Sequence, residues 1–511
     1  MNKANKWIIA LTVILPTLIE VIDTSVVNVS LDHIRGSLSA GLDEATWAIT
    51  AYLVANAIVI PLTGWLSRIF GRRNYIMFSV ALFTFSSFMC GSSRSLSSLI
   101  FFRALQGIGG GGLQPISQAI LLETFPPAEY GMAMAIFGVG VLFGPIIGPL
   151  MGGWITDNWS WNWIFYINIP IGIISLIMIM LFIKDPPYLK RVREKIDYYG
   201  LSLIVLGIGT LQIMLDKGQR EDWFSSAFIV RLAVIAAVSF ILFLFVELRT
   251  PEPVLNIRQL KNVSFASANV IQFVSFFGLF GSIVLLPLFL QQLMGYNAYL
   301  AGFAIAPGGL TTIMVMPIVG RLVTKINPKA ILLSGLLLLS YSMIMMGRFN
   351  LDIDYDTVLW TRVVMGAGMG MIFIPLTTMA FTTIKKEEMG NATSIFNILR
   401  NIAGSFGIAF MTTILARRAQ FHQVRFSEHL NPFDPRYQLG VNKAMAALAV
   451  KSGGASPQAA NGVIYRQLMK EASLFSFTDA FHIAALVILC VLPLVFLLKR
   501  PRHAEAAPPI H

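Results

Sequence analysis

The chain has 511 residues, of which 56% are hydrophobic and 13% charged, with a mean hydropathy of +0.70. A soluble protein carries about 25% charge, so the composition excludes one and points to an integral membrane protein in the bilayer. The net charge of +12 does not indicate nucleic acid, because the basic residues are spread between apolar runs and are not gathered on one polar face.

Apolar runs long enough to cross a bilayer lie at 7-30, 46-66, 75-92, 97-121, 130-153, 163-183, 198-216, 227-247, 264-291, 298-319, 329-347, 357-381, 391-416 and 479-499. The first is too long for a signal-peptide core and no small-residue cleavage pattern follows it, so it is expected to remain as a span. Fourteen crossings put both termini on one side. With the termini in the cytoplasm, that side holds 21 Lys and Arg against five in the short outer loops, which sets the orientation.

In the first run Glu20 and Asp23 lie one turn apart on one helix face. Arg103 falls inside the fourth run, where a charge is tolerated only if paired or wetted, so it is expected to face a central cavity. In the fifth run Gly140, Gly144 and Gly148 share a face, and Pro145 follows the middle glycine. That smooth, bendable helix serves either close packing or conformational change. Trp159, Trp161 and Trp163 read as interfacial anchors.

A shift of 259 residues lays Arg103, Gly107, Gly109 and Gly111 on Arg362, Gly366, Gly368 and Gly370. The same shift carries Glu129, Gly131, Ile136, Phe137 and Gly148 onto Glu388, Gly390, Ile395, Phe396 and Gly407. Two separate stretches agreeing at one offset imply two parallel six-helix halves about a central site. The expected division is 1-183, an inserted helix pair with linkers at 184-259, and 260-511 with a long outer loop at 417-476. In that loop Lys443 to Val450 and Ala459 to Lys470 are expected to form short helices about a hinge at Ser452-Gly453-Gly454.

Several motifs resemble one family. Gly131, Gly140, Gly144, Pro145 and Gly148 are similar in spacing to the antiporter motif of the major facilitator superfamily. Gly64, Arg68, Gly71, Arg72 and Arg73 resemble its loop between helices two and three, which implies a cytoplasmic gate. Ser67 stands where that family usually has Asp, leaving Glu123 or Glu129 to partner the arginines. Arg103-Ala-Leu-Gln106-Gly107 resembles its proton-transfer motif, and Asp23-Thr-Ser-Val-Val-Asn28-Val resembles the signature of its fourteen-span drug:proton antiporter branch. Trp161-Asn-Trp163-Ile-Phe-Tyr-Ile-Asn168-Ile-Pro170 and the set Asn397, Arg400, Asn401 and Gly404 also look like that branch.

The resemblance implies an all-α membrane fold of two six-helix bundles plus two inserted helices. It implies export of hydrophobic toxic compounds in exchange for protons, as the inner-membrane part of a tripartite system with a periplasmic membrane-fusion adaptor and an outer-membrane channel. Asp23, Glu20 and Arg103 are then the candidates for proton coupling, and Asn28, Gln106, Gln114, Phe273, Phe277, Asn397, Arg400 and Asn401 for the substrate cavity. A dedicated exporter of one metabolite or siderophore is the alternative within transport. A membrane enzyme is disfavoured because no HExxH, GxSxG or Walker pattern occurs and the six histidines have no ligand spacing, and no cofactor is expected. Cys90 and Cys490 lie in apolar runs and suggest neither a disulfide framework nor a metal site.

Overall fold

The computed structural model describes residues 5–186, 197–251, 253–428, 430–431, 433–452 and 456–499. Helices α1 (Lys6–Val29), α2 (Leu42–Phe70), α3 (Arg72–Gly91), α4 (Leu96–Gly110), α5 (Leu113–Thr124), α6 (Tyr130–Asn158) and α7 (Asn168–Phe182) build the first bundle. The inserted pair is α8 (Tyr198–Lys217) and α9 (Ala227–Arg249). The second bundle contains α10 (Val263–Gln292), α11 (Ala306–Leu322), α12 (Pro328–Met346), α13 (Tyr355–Thr382), α14 (Met389–Ser427), and, after α15 (Pro435–Ser452), the last crossing α16 (Pro457–Cys490).

Among the described residues twelve helices are long and apolar enough to cross a membrane, and the α4–α5 pair and α6 supply the remaining two of fourteen crossings. Side chains mark where many of them begin. Asn5, Asp197, Asn262, Asn327 and Ser456 each accept a hydrogen bond from a backbone N–H of the first turn, satisfying donors that a helix start leaves open.

Two elements differ from the sequence reading. The fourth crossing is not one helix: α4 stops at Gly110 and α5 starts at Leu113. A Cβ at Gly111 would press on the Asn56 carbonyl and one at Gly112 on the Tyr75 hydroxyl, so close approach of α2 and α3 demands glycine there, and consecutive glycines hold a helix poorly. The segment 417-476 carries the expected helices, but they are longer and two of them continue from the crossings. Helix α14 runs unbroken to Ser427 and α16 begins at Pro457, so both project beyond the membrane with α15 packed on α16. The expected helices fall inside α15 and α16; of the expected hinge, Gly453 and Gly454 lie outside the described residues.

The inserted pair touches both bundles. Asp216 accepts from Thr50 of α2 and Lys217 Nζ donates to Thr46 Oγ1 at 2.9 Å, while Gln212 donates to Ser405 of α14 at 2.8 Å. Helix α9 is clothed in exposed apolar residues such as Val234, Ile241 and Phe245, as a lipid-facing helix is. Trp159 and Trp163 are exposed as anchors would be, whereas Trp161 is buried against Phe165.

Candidate functional site

The first buried cluster is built by four helices around α1. Asp23 and Arg103 are 0% and 1% exposed, and Arg103 Nη1 donates to Asp23 Oδ2 at 2.6 Å. The other carboxylate oxygen accepts from Gln106 Nε2 at 2.9 Å and from Asn168 Nδ2 at 2.8 Å. Gln106 is itself held by Ser87 Oγ at 2.7 Å, and Arg103 Nε donates to the Ala48 carbonyl at 3.2 Å. The Tyr52 ring lies 4.1 Å from the guanidinium carbon. Both charges are therefore paired and hydrogen-bonded, the only condition under which low-dielectric surroundings tolerate them. Helix α4 places Arg103 and Gln106 on one face by their i, i+3 spacing.

One turn earlier on α1, Glu20 belongs to a second cluster that crosses between the bundles. Its Oε2 accepts from Gln114 Nε2 at 2.5 Å and its Oε1 from Asn56 Nδ2 at 3.1 Å. Gln114 Oε1 in turn accepts from Arg400 Nη2 of α14, so a carboxylate of the first bundle and a guanidinium of the second share one amide. Below it, Asn397 Nδ2 donates to Gln118 Oε1 at 2.6 Å. Arg400 lies 5.7 Å from the Phe276 ring centroid, and its Nη1 has no hydrogen-bond partner among the described residues.

The glycine helix α6 lies along the helix that carries both acids. Gly144 meets Val21, Gly148 meets Ser25 and Gly152 meets Val26, so the smooth face brackets Asp23. Gly131 faces Val323 and Gly320 of the second bundle, and the helix continues without a break through Pro145. Small residues here let backbones approach as they do at other membrane helix interfaces.

The hydrogen bonds described between the two bundles lie at mid-depth or at the face where α1 begins, called here the N-terminal face. There Gly64 N donates to Ser394 Oγ at 2.9 Å, and a Cβ on Gly64 would meet the Gly390 carbonyl at 2.9 Å. Arg72 is buried, with Nη2 donating to Glu123 Oε1 at 2.6 Å and Nη1 to Ser67 Oγ at 2.5 Å. Glu123 is thus the acid beside the serine, while Glu129 pairs with Lys6 at 2.5 Å. Gly71 turns the chain with φ +85°, a conformation that favours glycine. Arg68 reaches the Pro253 carbonyl and Arg73 the Met180 carbonyl, so these two hold the periphery of this face.

Not every candidate joins the clusters. Asn28 is exposed near the end of α1, apart from the polar groups at mid-depth, because the helix has turned and climbed away from the Asp23 face. Phe273 and Phe277 pack against Phe406 of α14 as helix-to-helix contacts; the aromatic residue beside Arg400 is Phe276. Asn401 is half-buried next to Arg400 with no described hydrogen bond of its side chain. Sequence reasoning missed Asn56 and Gln118 as cluster members and did not place Asn168 on Asp23. Their signal was a buried-amide pattern in apolar runs, visible only once partners are known.

The Major Facilitator Superfamily model matches residues 13–408. The chain is 35% identical over 504 residues to the multidrug export protein EmrB of Escherichia coli (strain K12), covering 98% of this chain and 97% of that one. It is 34% identical to the fatty acid resistance protein FarB of Neisseria gonorrhoeae, covering 98% of each. In fold it is similar to the human organic anion transporter MFSD10 with a TM-score of 0.60 at 14% identity, covering 95% of this chain and 99% of that one. It is likewise similar to the proton:xylose symporter XylE, with a TM-score of 0.60 at 15% identity, covering 96% and 97%.

Proposed function

The chain belongs to the Major Facilitator Superfamily, and from that premise we propose that it is a proton-coupled multidrug exporter of a bacterial inner membrane. The observation that carries this reading is the arrangement on α1. Asp23 is sealed with Arg103 inside the first bundle, and one turn away Glu20 reaches through Gln114 to Arg400 of the second. A proton-binding pair and a link between the bundles therefore share one helix, and α6 lies along it.

In the proposed cycle both termini are cytoplasmic, so the N-terminal face closed by Gly64, Ser394, Arg72 and Glu123 is the inner gate. A proton from outside neutralises Asp23 and releases Arg103 from its counter-charge. The shift of α1 against the glycine face of α6 then disturbs the Glu20–Gln114–Arg400 chain and frees the inner gate. From inside, a hydrophobic compound enters between the bundles, Asp23 gives up its proton to the cytoplasm, and the pair reforms. Exported compounds are proposed to pass to a periplasmic membrane-fusion adaptor of the EmrA type and an outer-membrane channel. The adaptor is proposed to dock on the projecting ends of α14, α15 and α16, where Phe421, Val424 and Phe433 are exposed.

The test is Asp23→Asn in proteoliposomes with an imposed pH gradient. Drug binding is expected to persist while gradient-driven transport stops. Transport at near wild-type rate with the same dependence on the gradient would place the coupling site elsewhere.

A further inference from the structure

The internal repeat places a second buried guanidinium in the molecule, and it lacks what the first one has. The 259-residue shift that lays Arg103 on Arg362 also lays Asp23 on Ser282 and Gln106 on Met365. The structure keeps this correspondence at Nη1. Arg103 Nη1 donates to Asp23 and Gln106; Arg362 Nη1 donates to Ser282 Oγ at 3.0 Å and approaches Met365 Sδ at 2.9 Å. Arg103 Nε is used by the Ala48 carbonyl, but the carbonyl at the corresponding place, that of Pro307, accepts from Thr311 Oγ1 instead, and Arg362 Nε has no partner among the described residues.

Arg362 is 2% exposed and seven residues inside α13, about 10 Å from the helix end at Tyr355. No salt bridge to it occurs among the described residues. A guanidinium at membrane depth without an anion is costly, and such residues mark ligand pathways by default. All its described hydrogen bonds use Nη1, which leaves the edge formed by Nε and Nη2. That edge is the planar fork that receives a carboxylate with two parallel bonds. The neighbouring turns of α13 are apolar and buried, with Val358, Met365 and Met369, so a group bound there must be attached to an apolar body.

We propose that Arg362, held at Nη1 by Ser282, forms with its Nε and Nη2 edge a carboxylate-binding site in the second bundle, which takes the headgroup of an amphipathic organic acid. The site lies on the Nε and Nη2 edge of Arg362, beside the Nη1 that Ser282 holds where the first bundle has Asp23, so an incoming acid brings to the second half the negative charge that Asp23 gives the first. If this acid is exported, the site deepens the transport reading, but binding at equilibrium needs no gradient and is judged separately.

The experiment measures binding of radiolabelled octanoate to the purified full-length protein at constant ionic strength, with acetate, chloride and uncharged octanol as competitors. Ser282→Asp supplies an internal carboxylate and is expected to weaken octanoate binding by at least about tenfold while unfolding at or above the wild-type temperature. Arg362→Lys keeps the charge but loses the fork, and is expected to weaken binding similarly. Octanoate is expected to bind at least about tenfold more tightly than acetate, and octanol is expected not to compete. Unchanged octanoate affinity in the two variants would overturn the site. Chloride competing as well as acetate would overturn the carboxylate assignment, and equal affinity for acetate and octanoate would overturn the amphipathic one.

Discussion

Replacing Gly64 by alanine tests the seam at the N-terminal face. The added Cβ would stand 2.9 Å from the Gly390 carbonyl and 2.9 Å from Asn391 Cα, both backbone atoms of the opposite bundle. Neither can turn aside like a side chain, so one bundle must back away, stretching the 2.9 Å hydrogen bond from Gly64 N to Ser394 Oγ. Overpacking of this kind costs about 1–3 kcal/mol. The same strain is absent when the face is open, so the whole penalty falls on the closed state and shifts the equilibrium roughly 5- to 150-fold toward opening. Spin labels at Phe70 and Glu387, both exposed and on opposite sides of the seam, report the distance. Gly64→Ala is expected to move most of the population to longer separations and to slow drug-proton exchange. An unchanged distance distribution would refute the reasoning, because it would mean that the contact at Gly64 does not bear on closure.

Asp23→Asn leaves Arg103 buried without its counter-charge and is expected to lower stability by about 3–5 kcal/mol; adding Arg103→Gln should recover part of the loss in thermal unfolding, and no recovery would deny the coupling. Glu20→Gln keeps an acceptor for Asn56 but removes the negative charge near Arg400, so the balance of affinities should move about tenfold from cationic toward anionic compounds in a binding panel. Replacing 425-470 by a short Gly/Ser linker should spare exchange in proteoliposomes but abolish resistance in cells and co-purification with an adaptor; loss of exchange in the liposomes would instead tie this segment to the transport cycle. Single cysteines at Ser225 and Phe433 should react with an impermeant thiol reagent from outside and one at Lys385 should not, and the reverse pattern would invert the topology.

What the sequence disclosed followed from how rare each feature is in an apolar chain. Charges inside long hydrophobic runs are few, so Asp23, Arg103 and Arg400 announced themselves, and the structure gives each a polar or charged neighbour. Glycine spacing likewise picked the face of α6 that meets α1. Amides and aromatics carried no such contrast. The phenylalanines at 273, 276, 277 and 280 are spaced i, i+3, i+4, i+7 and share one stripe of α10 about 100° wide, so sequence could not select Phe276 over Phe277 as the ring beside Arg400. The partner of Arg72 was undecidable between Glu123 and Glu129 because both flank the same short connection; only the turn between α5 and α6 sends one inward and the other to Lys6. The helices expected between 417 and 476 are present, but their continuity with the crossings was not legible, because helices leaving a membrane lose their apolar signature while keeping their hydrogen bonds.

That continuity has a mechanical meaning. With no joint between its crossing and its projecting end, α14 is a stiff arm, and the 27 residues from Arg400 to Ser427 span about 40 Å. A rigid turn of the second bundle by roughly 15°, typical of subunit rotations elsewhere, would sweep its tip through about 10 Å. The projecting hairpin would then act as a crank, and anything gripping it would feel each turnover as a stroke.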